Sequence, residues 1–470
     1  MLKEECGVFG IYNSDVAAQL TYLGLYALQH RGQESAGIIS YNKINDVFHA
    51  KKGNGLVSRV FDKNDLKELI GMSAIGHVRY STTGEDNNIN IQPLMVKCVK
   101  GTLAIAHNGN LTNSKELYDE LRQNGAIFQT TLDTEVVLHL VAKSKKEKLE
   151  DAIVDALTKI KGAFSMVFLT KNYVIAARDA HGVRPLVLGE LNEQYVVASE
   201  TCALDLIGAK YVREIEPGEV LFISKYGLKS RRFAEKEKKL NHCIFEYIYF
   251  SRPDSILFGQ SVYEIQKKLG ARLAQESPAD ADLVIAVPDS GNSAAIGYSE
   301  KSHIPFEIGL MRNHYIGRTF IQNSQIAREI GVKIKLSPIK HVLKGKKVIV
   351  IDDSLVRGTT SKKIVKMLRK AGAKEIHLRI SSPPYKHSCF YGVDTPSVEH
   401  LVAHNNSVKD IQEYLGVDSL AYISLDGVLD IVTEKQLLKS DDFCTACFSG
   451  DYKIPLYSLN KLGKGVLEKK

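Results

Sequence analysis

Apolar and polar positions fall into two regimes along the chain. From Cys6 to about residue 232, short apolar segments recur at Gly7–Ile11, Ala36–Ser40, Ala74–Val78, Leu103–Ala106, Met166–Leu169, Val174–Ala177, Tyr195–Ala198 and Val220–Ile223. Alternation over four or five residues predicts strands. Stretches of helical period lie between them, near Asp15–Gln29, Ser114–Asn124, Thr134–Ser144 and Leu149–Lys161. Residues 6–232 therefore read as an α+β unit. A polar run, Ala234–Leu240, predicts a linker within 233–246. From about Tyr247 the pattern becomes a regular β/α alternation, with strands at Leu283–Val287, Lys347–Ile351 and Glu375–Ser381 and helices such as Val262–Glu276. That order predicts a parallel sheet with crossover helices over 247–410. Residues 411–470 are mixed and read as an appended C-terminal cap. No internal repeat or low-complexity tract is present.

The most informative stretch is Val348–Thr360, VIVIDDSLVRGTT. Four β-branched residues, Val348–Ile351, suit a strand buried on both faces of a parallel sheet. Asp352 and Asp353 follow where the strand emerges, then a turn, then a helix from about Ser361 that Gly372 ends. Ligands of open α/β sheets bind at this carboxyl edge. Backbone N–H groups of a small loop leading into a helix N-terminus suit a phosphate. Two acids beside a phosphate site make sense if they bind hydroxyls or a metal-chelated polyphosphate. A sugar carrying phosphate and pyrophosphate meets both demands. The bland alternative for a generic pair of acids is an N-cap at a strand end.

The bulk numbers narrow the class. At 470 residues the chain holds two or three domains. No apolar run reaches the roughly 18 residues of a membrane span, and MLKEECGVFG lacks a signal-peptide core. The expectation is a cytoplasmic protein without a membrane partner. The net charge of +8 invites a nucleic-acid reading. However, Lys and Arg are dispersed, and the densest runs, Lys143–Lys148 and Lys236–Lys239, each contain a Glu. Solvated faces explain them better, and no nucleic-acid partner is expected. Seven cysteines, an odd number, do not suit a secreted disulfide framework. In a reducing compartment some of them should be catalytic or metal-bound.

Val348–Thr360 resembles the phosphoribosyl-pyrophosphate (PRPP) motif of type I phosphoribosyltransferases. The resemblance implies that Asp352 and Asp353 hold the ribose hydroxyls. It assigns the 5′-phosphate to the loop of Ser354, Arg357, Gly358, Thr359 and Thr360. Ser290, in VPDSGNS (Val287–Ser293), joins Asp352 and Asp353 around Mg²⁺. Magnesium keeps several waters, so a sparse protein ligand set is expected. Arg312–Lys340, with Arg318, Arg328, Lys333 and Lys335, matches a lid in that family and would otherwise be a basic surface loop.

In the first unit, Cys6 is followed by HRGQE (His30–Glu34), HVRYST (His77–Thr82), HNGNL (His107–Leu111) and LDTE (Leu132–Glu135). Together they resemble the glutaminase domain of N-terminal-nucleophile (Ntn) amidotransferases, an αββα sandwich. Amide hydrolysis needs a nucleophile, a base and an oxyanion hole. A thiol of pKa about 8.5 is mostly protonated at neutral pH, and an α-amino group of pKa about 7.7–8.0 on the same residue can take its proton. That requires Cys6 to be the first residue, so residues 1–5 are expected to be a propeptide cleaved before Cys6. The resemblance further implies an oxyanion hole from the Asn108 amide and the Gly109 N–H. It implies glutamine binding by Arg79 through the α-carboxylate and by Asp133 through the α-ammonium, with Arg31 and Gly32 as a segment near the nucleophile.

Cys444 and Cys447 form a C-x-x-C pair, which alone suggests half a zinc site or a redox pair. The whole chain is similar to glutamine PRPP amidotransferases of the iron–sulfur type, and the likeness adds Cys243 and Cys389 to make a [4Fe–4S] ligand set. Four thiolates also suit zinc, so iron comes from the family alone. Cys98 and Cys202 match no motif, though Cys202 follows a family-like ASET segment. Gly291 stands where some relatives carry a larger residue. The resemblance implies synthesis of 5-phosphoribosylamine, glutamate and pyrophosphate from glutamine, PRPP and water, the committed step of purine synthesis. It also implies a homotetramer inhibited by purine nucleotides. Two rivals are a glutaminase feeding a hexose phosphate, against which Val348–Thr360 argues, and a non-enzymatic PRPP sensor, for which an intact glutaminase half is wasteful.

Overall fold

The structure, a computed structural model, describes residues 6–79, 88–234, 240–313 and 336–457. The first half is built on thirteen strands: β1 (Gly7–Ile11), β2 (Ser35–Asn42), β3 (Val47–Asn54), β4 (Ser73–Arg79), β5 (Leu94–Cys98), β6 (Gly101–Leu111), β7 (Gly162–Leu169), β8 (Val174–Arg178), β9 (Val187–Leu191), β10 (Gln194–Ala198), β11 (Lys210–Glu214), β12 (Glu219–Ser224) and β13 (Gly227–Arg232). They form two sheets, in the orders β11-β9-β10-β1-β4-β2-β3 and β13-β12-β8-β7-β6-β5. Val8, Ile39, Ile75, Leu188 and Val197 of the first sheet pack against Ala104, Ala106, Val167 and Val174 of the second, all essentially solvent-free. Alternation explains this layer. Val8 faces the other sheet, while Phe9 faces the helices Ala17–Ala27 and Thr201–Ile207. On the outer face of the second sheet, Phe164, Met166 and Phe168 meet Val136, Val137, Leu140, Ile153 and Leu157 of Asp133–Lys143 and Leu149–Lys159. The result is the expected αββα sandwich.

All eight strands expected in this half are present. Five were not anticipated, and four of them (β3, β5, β11 and β13) are the edges of the two sheets. Their sequences, VFHAKKGN, LMVKC, KYVRE and GLKSRR, carry lysine or arginine where an interior strand would carry an apolar residue. Charged, exposed positions protect an edge from pairing and erase the hydrophobic pattern that betrays a strand.

The second half contains a parallel sheet ordered Leu283–Ala286, Lys347–Asp352, Glu375–Ile380, Ser419–Tyr422, with Ile285, Val350, Leu378 and Leu420 in register across it. The fourth strand corrects the expected boundary at 410. Residues 419–422 belong to the sheet, and only the chain beyond them caps it. The pattern hid this strand because Ser419–Tyr422 is short and its neighbours cover it incompletely. Leu310–Arg312 and Leu336–Pro338 pair as a short antiparallel ribbon. The cationic residues expected in a lid, Arg318, Arg328, Lys333 and Lys335, lie outside the described residues, as do the propeptide and most of the polar linker.

The halves share a core. Ala163 and Val183 from the sandwich pack in one cluster with Ile244, Phe245, Tyr247, Tyr385, Tyr391, Phe443 and Phe448. Here His242–Cys243 pairs in parallel with Phe443–Cys444, so the segment after the linker and the C-terminal cap are joined at their cysteines.

Candidate active site

Cys6 stands immediately before β1, a central strand of the first sheet. Its carbonyl accepts a hydrogen bond from Arg31 Nε (3.1 Å). In the second sheet, β6 carries His107, Asn108, Gly109 and Asn110 near its end. The sheets are pinned here: His77 Nε2 of β4 meets the His107 carbonyl at 3.0 Å. His77 is wholly buried, and burial drives its pKa down to about 3, with the charges of Arg79 and His107 adding to the effect. It is therefore neutral and donates to that carbonyl.

Asn108 is fully buried, and neither its Oδ1 nor its Nδ2 has a hydrogen-bond partner. Such a group costs about 1–3 kcal/mol relative to a satisfied one, so its retention points to a ligand. Gly109 beside it has φ +143°, and a Cβ there would lie 2.1 Å from the Ala163 carbonyl oxygen, so only glycine fits. Arg79, half-buried at the end of β4, donates from Nη1 to the Asn90 carbonyl (2.9 Å). Asp133 opens the helix Asp133–Lys143 and accepts from the Leu111 N–H (2.9 Å), with His107 Nδ1 3.5 Å away. Desolvation raises its pKa, but His107, the Leu111 N–H and Thr134 outweigh it and keep the carboxyl below its ordinary value.

Arg31 lies near Cys6, as expected. Its guanidinium is buried and donates to Glu200 and to both oxygens of Glu246 (3.0 and 2.9 Å). That side chain is committed to carboxylates of the protein.

On the second half, Asp352 ends the central strand, and Asp353 follows it, both nearly solvent-free. Asp353 accepts from Ser290 Oγ (2.6 Å) and Ser354 Oγ (2.5 Å), so the Val287–Ser293 turn and the Asp352–Thr360 loop meet. Burial raises the pKa of both carboxyls, and for Asp352 the charge of Asp353 raises it further. Two such acids call for hydroxyl donors or a cation, which fits the expected ribose and Mg²⁺. The loop runs through Arg357, which is exposed, and Gly358 (φ +70°) into the helix Thr359–Lys370, whose first N–H groups face the same edge. Gly291 has no space for a larger residue here: a Cβ would sit 2.6 Å from the Ile351 carbonyl oxygen.

Cys243, Cys389, Cys444 and Cys447 lie close to one another at the junction of the halves. Cys243 and Cys444 are register partners, and Tyr391 N–H donates to Cys389 Sγ (3.3 Å). Cys447 has its pKa driven well up by burial first and then by Cys444, Cys243 and Cys389. Four thiols crowded in an apolar core gain from a cationic centre, so the donor chemistry suits an iron–sulfur cluster. Among the described residues, no three His, Cys, Asp or Glu side chains converge on a single-ion position. None of the seven cysteines is in a disulfide, and Cys202 is buried beside Glu200.

Sequence reasoning missed Glu200, Glu246 and Arg184. Each is completely buried, and each pairs with a residue far along the chain, such as Arg184 with Glu246 (3.2 Å). A charge of this kind carries no local pattern, although Glu200 lies within ASET.

Comparison with known proteins agrees with both halves. Residues 77–206 match the glutamine amidotransferase domain family, and residues 255–390 match the phosphoribosyl transferase domain family. The fold and the site thus define a glutamine amidotransferase joined to a phosphoribosyltransferase. The chain is 54% identical to amidophosphoribosyltransferase 1, chloroplastic, of Arabidopsis thaliana, over 96% of this chain and 79% of the relative. It is 49% identical to amidophosphoribosyltransferase of Bacillus subtilis, over 97% of this chain and 95% of the relative. A solved structure of the allosteric regulatory enzyme of purine biosynthesis superposes with TM-score 0.93 at 48% identity, covering 97% of this chain and 98% of that one. Glutamine PRPP amidotransferase from B. subtilis, complexed with ADP and GMP, superposes with TM-score 0.91 at 49% identity, covering 96% and 98%. The chain belongs to the amidophosphoribosyltransferase family. It is an enzyme that transfers the amide nitrogen of glutamine to PRPP, the first step of purine biosynthesis. No helix among the described residues is long and apolar enough to cross a membrane.

Proposed function

We propose the following division of labour for the reaction. Cys6, made N-terminal by removal of residues 1–5, attacks the glutamine side-chain carbonyl, and its own α-amino group takes the thiol proton. The Asn108 amide and the Gly109 N–H receive the developing oxyanion. The same amine returns its proton to the leaving ammonia, and water then releases glutamate from the thioester. Arg79 binds the glutamine α-carboxylate and Asp133 the α-ammonium, while Arg31 fixes the Cys6 carbonyl. The observation that carries this reading is the buried, unpartnered Asn108 amide beside Gly109.

Asp352 and Asp353 hold the ribose hydroxyls, and the amides of Ser354, Arg357, Gly358, Thr359 and Thr360 hold the 5′-phosphate. Mg²⁺, held by Ser290, Asp352 and Asp353 together with PRPP, would neutralise charge on the departing pyrophosphate. Ammonia attacks C1 of the ribose, and the buried carboxylates orient the ring. Cys243, Cys389, Cys444 and Cys447 hold a [4Fe–4S] cluster whose role is structural or oxygen-sensing, since no electron is transferred. Purine nucleotides regulate the enzyme. The structural neighbour bound to ADP and GMP supports this. The chain works as a homotetramer in the cytoplasm.

The test is Asn108→Ala, assayed with glutamine and with ammonium salts as nitrogen donors. Glutamine-dependent activity falls roughly 10²–10³-fold, and ammonia-dependent synthesis persists. Equal loss with both donors would exclude Asn108 from the oxyanion hole.

A further inference from the structure

The buried charges that the sequence did not reveal form one network around the glutamine site. Arg184 donates from Nε and Nη2 to the Tyr391 carbonyl (3.0 and 2.9 Å) and from Nη1 to Glu246 (3.2 Å). Glu246 receives both terminal nitrogens of Arg31, whose Nε holds the Cys6 carbonyl. In the other direction, Tyr391 leads into Gly392, with φ +103°. A Cβ on Gly392 would lie 2.8 Å from the Gly109 Cα and 3.2 Å from Arg184 Nη2, so the two glycines touch backbone to backbone. One residue on, Asn110 Nδ2 donates to the Phe390 carbonyl (2.9 Å). The nucleophile and the oxyanion segment of β6 belong to different sheets of the sandwich. Each is gripped from behind by residues of the second half, and one arginine–glutamate pair joins the two grips.

We infer that Arg184 and Glu246 are positioning residues for glutamine hydrolysis, setting Cys6 and the Gly109 segment of β6 against each other through Arg31 on one side and Tyr391–Gly392 on the other. Neither touches a reacting atom. Physical reasons favour this role over simple stability. The pair is solvent-free, so its geometry is held by strong charge-assisted bonds. A planar guanidinium with three directed donors also fixes an orientation that a point charge would not. Hydrolysis demands this accuracy, because displacement of a catalytic group by about 1 Å costs roughly 10²-fold in rate. The grips start beside two of the crowded cysteines: Glu246 lies three positions after Cys243, and Phe390 follows Cys389. Order at the cysteine junction is thereby transmitted to the glutaminase centre. The inference rests on the assignment of Cys6 and Gly109 proposed above.

Two variants test it on the full-length enzyme. Arg184→Lys keeps the charge facing Glu246 and loses the fork. Gly392→Ala pushes on Gly109 without altering any charge. In both, kcat for glutamine hydrolysis is expected to fall roughly 10–100-fold. KM for glutamine stays within about threefold, because substrate-binding groups are untouched. Ammonia-dependent synthesis stays within about twofold, because it bypasses the hydrolysis step. Wild-type kcat for glutamine in Gly392→Ala overturns the inference, as does parallel loss with both nitrogen donors in either variant, which is the mark of a structural defect. Cys6→Ala separates the two readings. Glutamine-dependent activity surviving in Cys6→Ala removes the nucleophile assignment itself, whatever the positioning variants do.

Discussion

Replacing Asn108 by leucine should make the enzyme more stable and nearly inactive toward glutamine. The two side chains have the same number and branching of heavy atoms, so the substitution swaps a polar fork for an apolar one in a site with no solvent. In the ligand-free enzyme both amide atoms lack partners. Removing an unsatisfied buried polar group returns about 1–3 kcal/mol. The two methyl groups fill slightly more space than the amide, and a modest overpacking cost draws on that gain. A net stabilisation of about 1–2 kcal/mol is expected. In the transition state the same amide receives a developing negative charge, so its loss costs about 3–4 kcal/mol, or roughly 10²–10³ in kcat. Urea unfolding of the ligand-free protein reads the first quantity, and glutamate release reads the second. A variant that is less stable than wild type, or that hydrolyses glutamine at a similar rate, would refute the reasoning.

Other expectations follow from the same geometry. Asp352→Asn relieves repulsion between two buried acids, so it should raise the melting temperature of the ligand-free enzyme. It should also raise KM for PRPP roughly 10–100-fold, the worth of hydrogen bonds to a charged group; a lower melting temperature contradicts the pair's repulsion. Gly291→Ala places a methyl group against the Ile351 carbonyl oxygen. It should destabilise the chain by about 1–3 kcal/mol in denaturant unfolding, and an unchanged midpoint would mean the turn yields freely. His77 has a folded pKa of about 3, against about 6.5 when unfolded. Its contribution is complete above pH 6.5 and is lost as pH falls toward 3, because the unfolded chain takes up the proton first. By pH 5 the loss is about 2 kcal/mol. His77→Gln, which keeps a donor for the His107 carbonyl, should show a shallower fall in stability between pH 7.5 and pH 5, and identical slopes would contradict a neutral buried His77.

The sequence was informative where chemistry and periodicity act locally. Val348–Ile351 and Gly7–Ile11 read as strands because interior positions must be apolar, and both are buried throughout. Asp352, Asp353 and Ser290 were legible because a strand end, a turn and a helix start fix their edge. The edge strands were illegible, since a lysine-bearing strand such as Val47–Asn54 owes its conformation to Ser35–Asn42 beside it and not to its own pattern. The fourth strand of the parallel sheet failed for a related reason: Ser419–Tyr422 is four residues long and gains its place from Glu375–Ile380. Arg31 was legible as a residue near Cys6, but its side-chain partners were not. Its partners Glu200 and Glu246 are more than 160 residues away, and no local rule pairs a buried arginine with a distant acid.

The central claim is that Cys6, as an N-terminal residue, is the nucleophile. It is tested most directly by mass spectrometry of the enzyme after reaction with an electrophilic glutamine analogue. The account predicts a chain lacking residues 1–5 with a single adduct on the terminal Cys6, its formation prevented by excess glutamine. An adduct on another cysteine, or on a Cys6 still preceded by Met1–Glu5 in fully active enzyme, would contradict it.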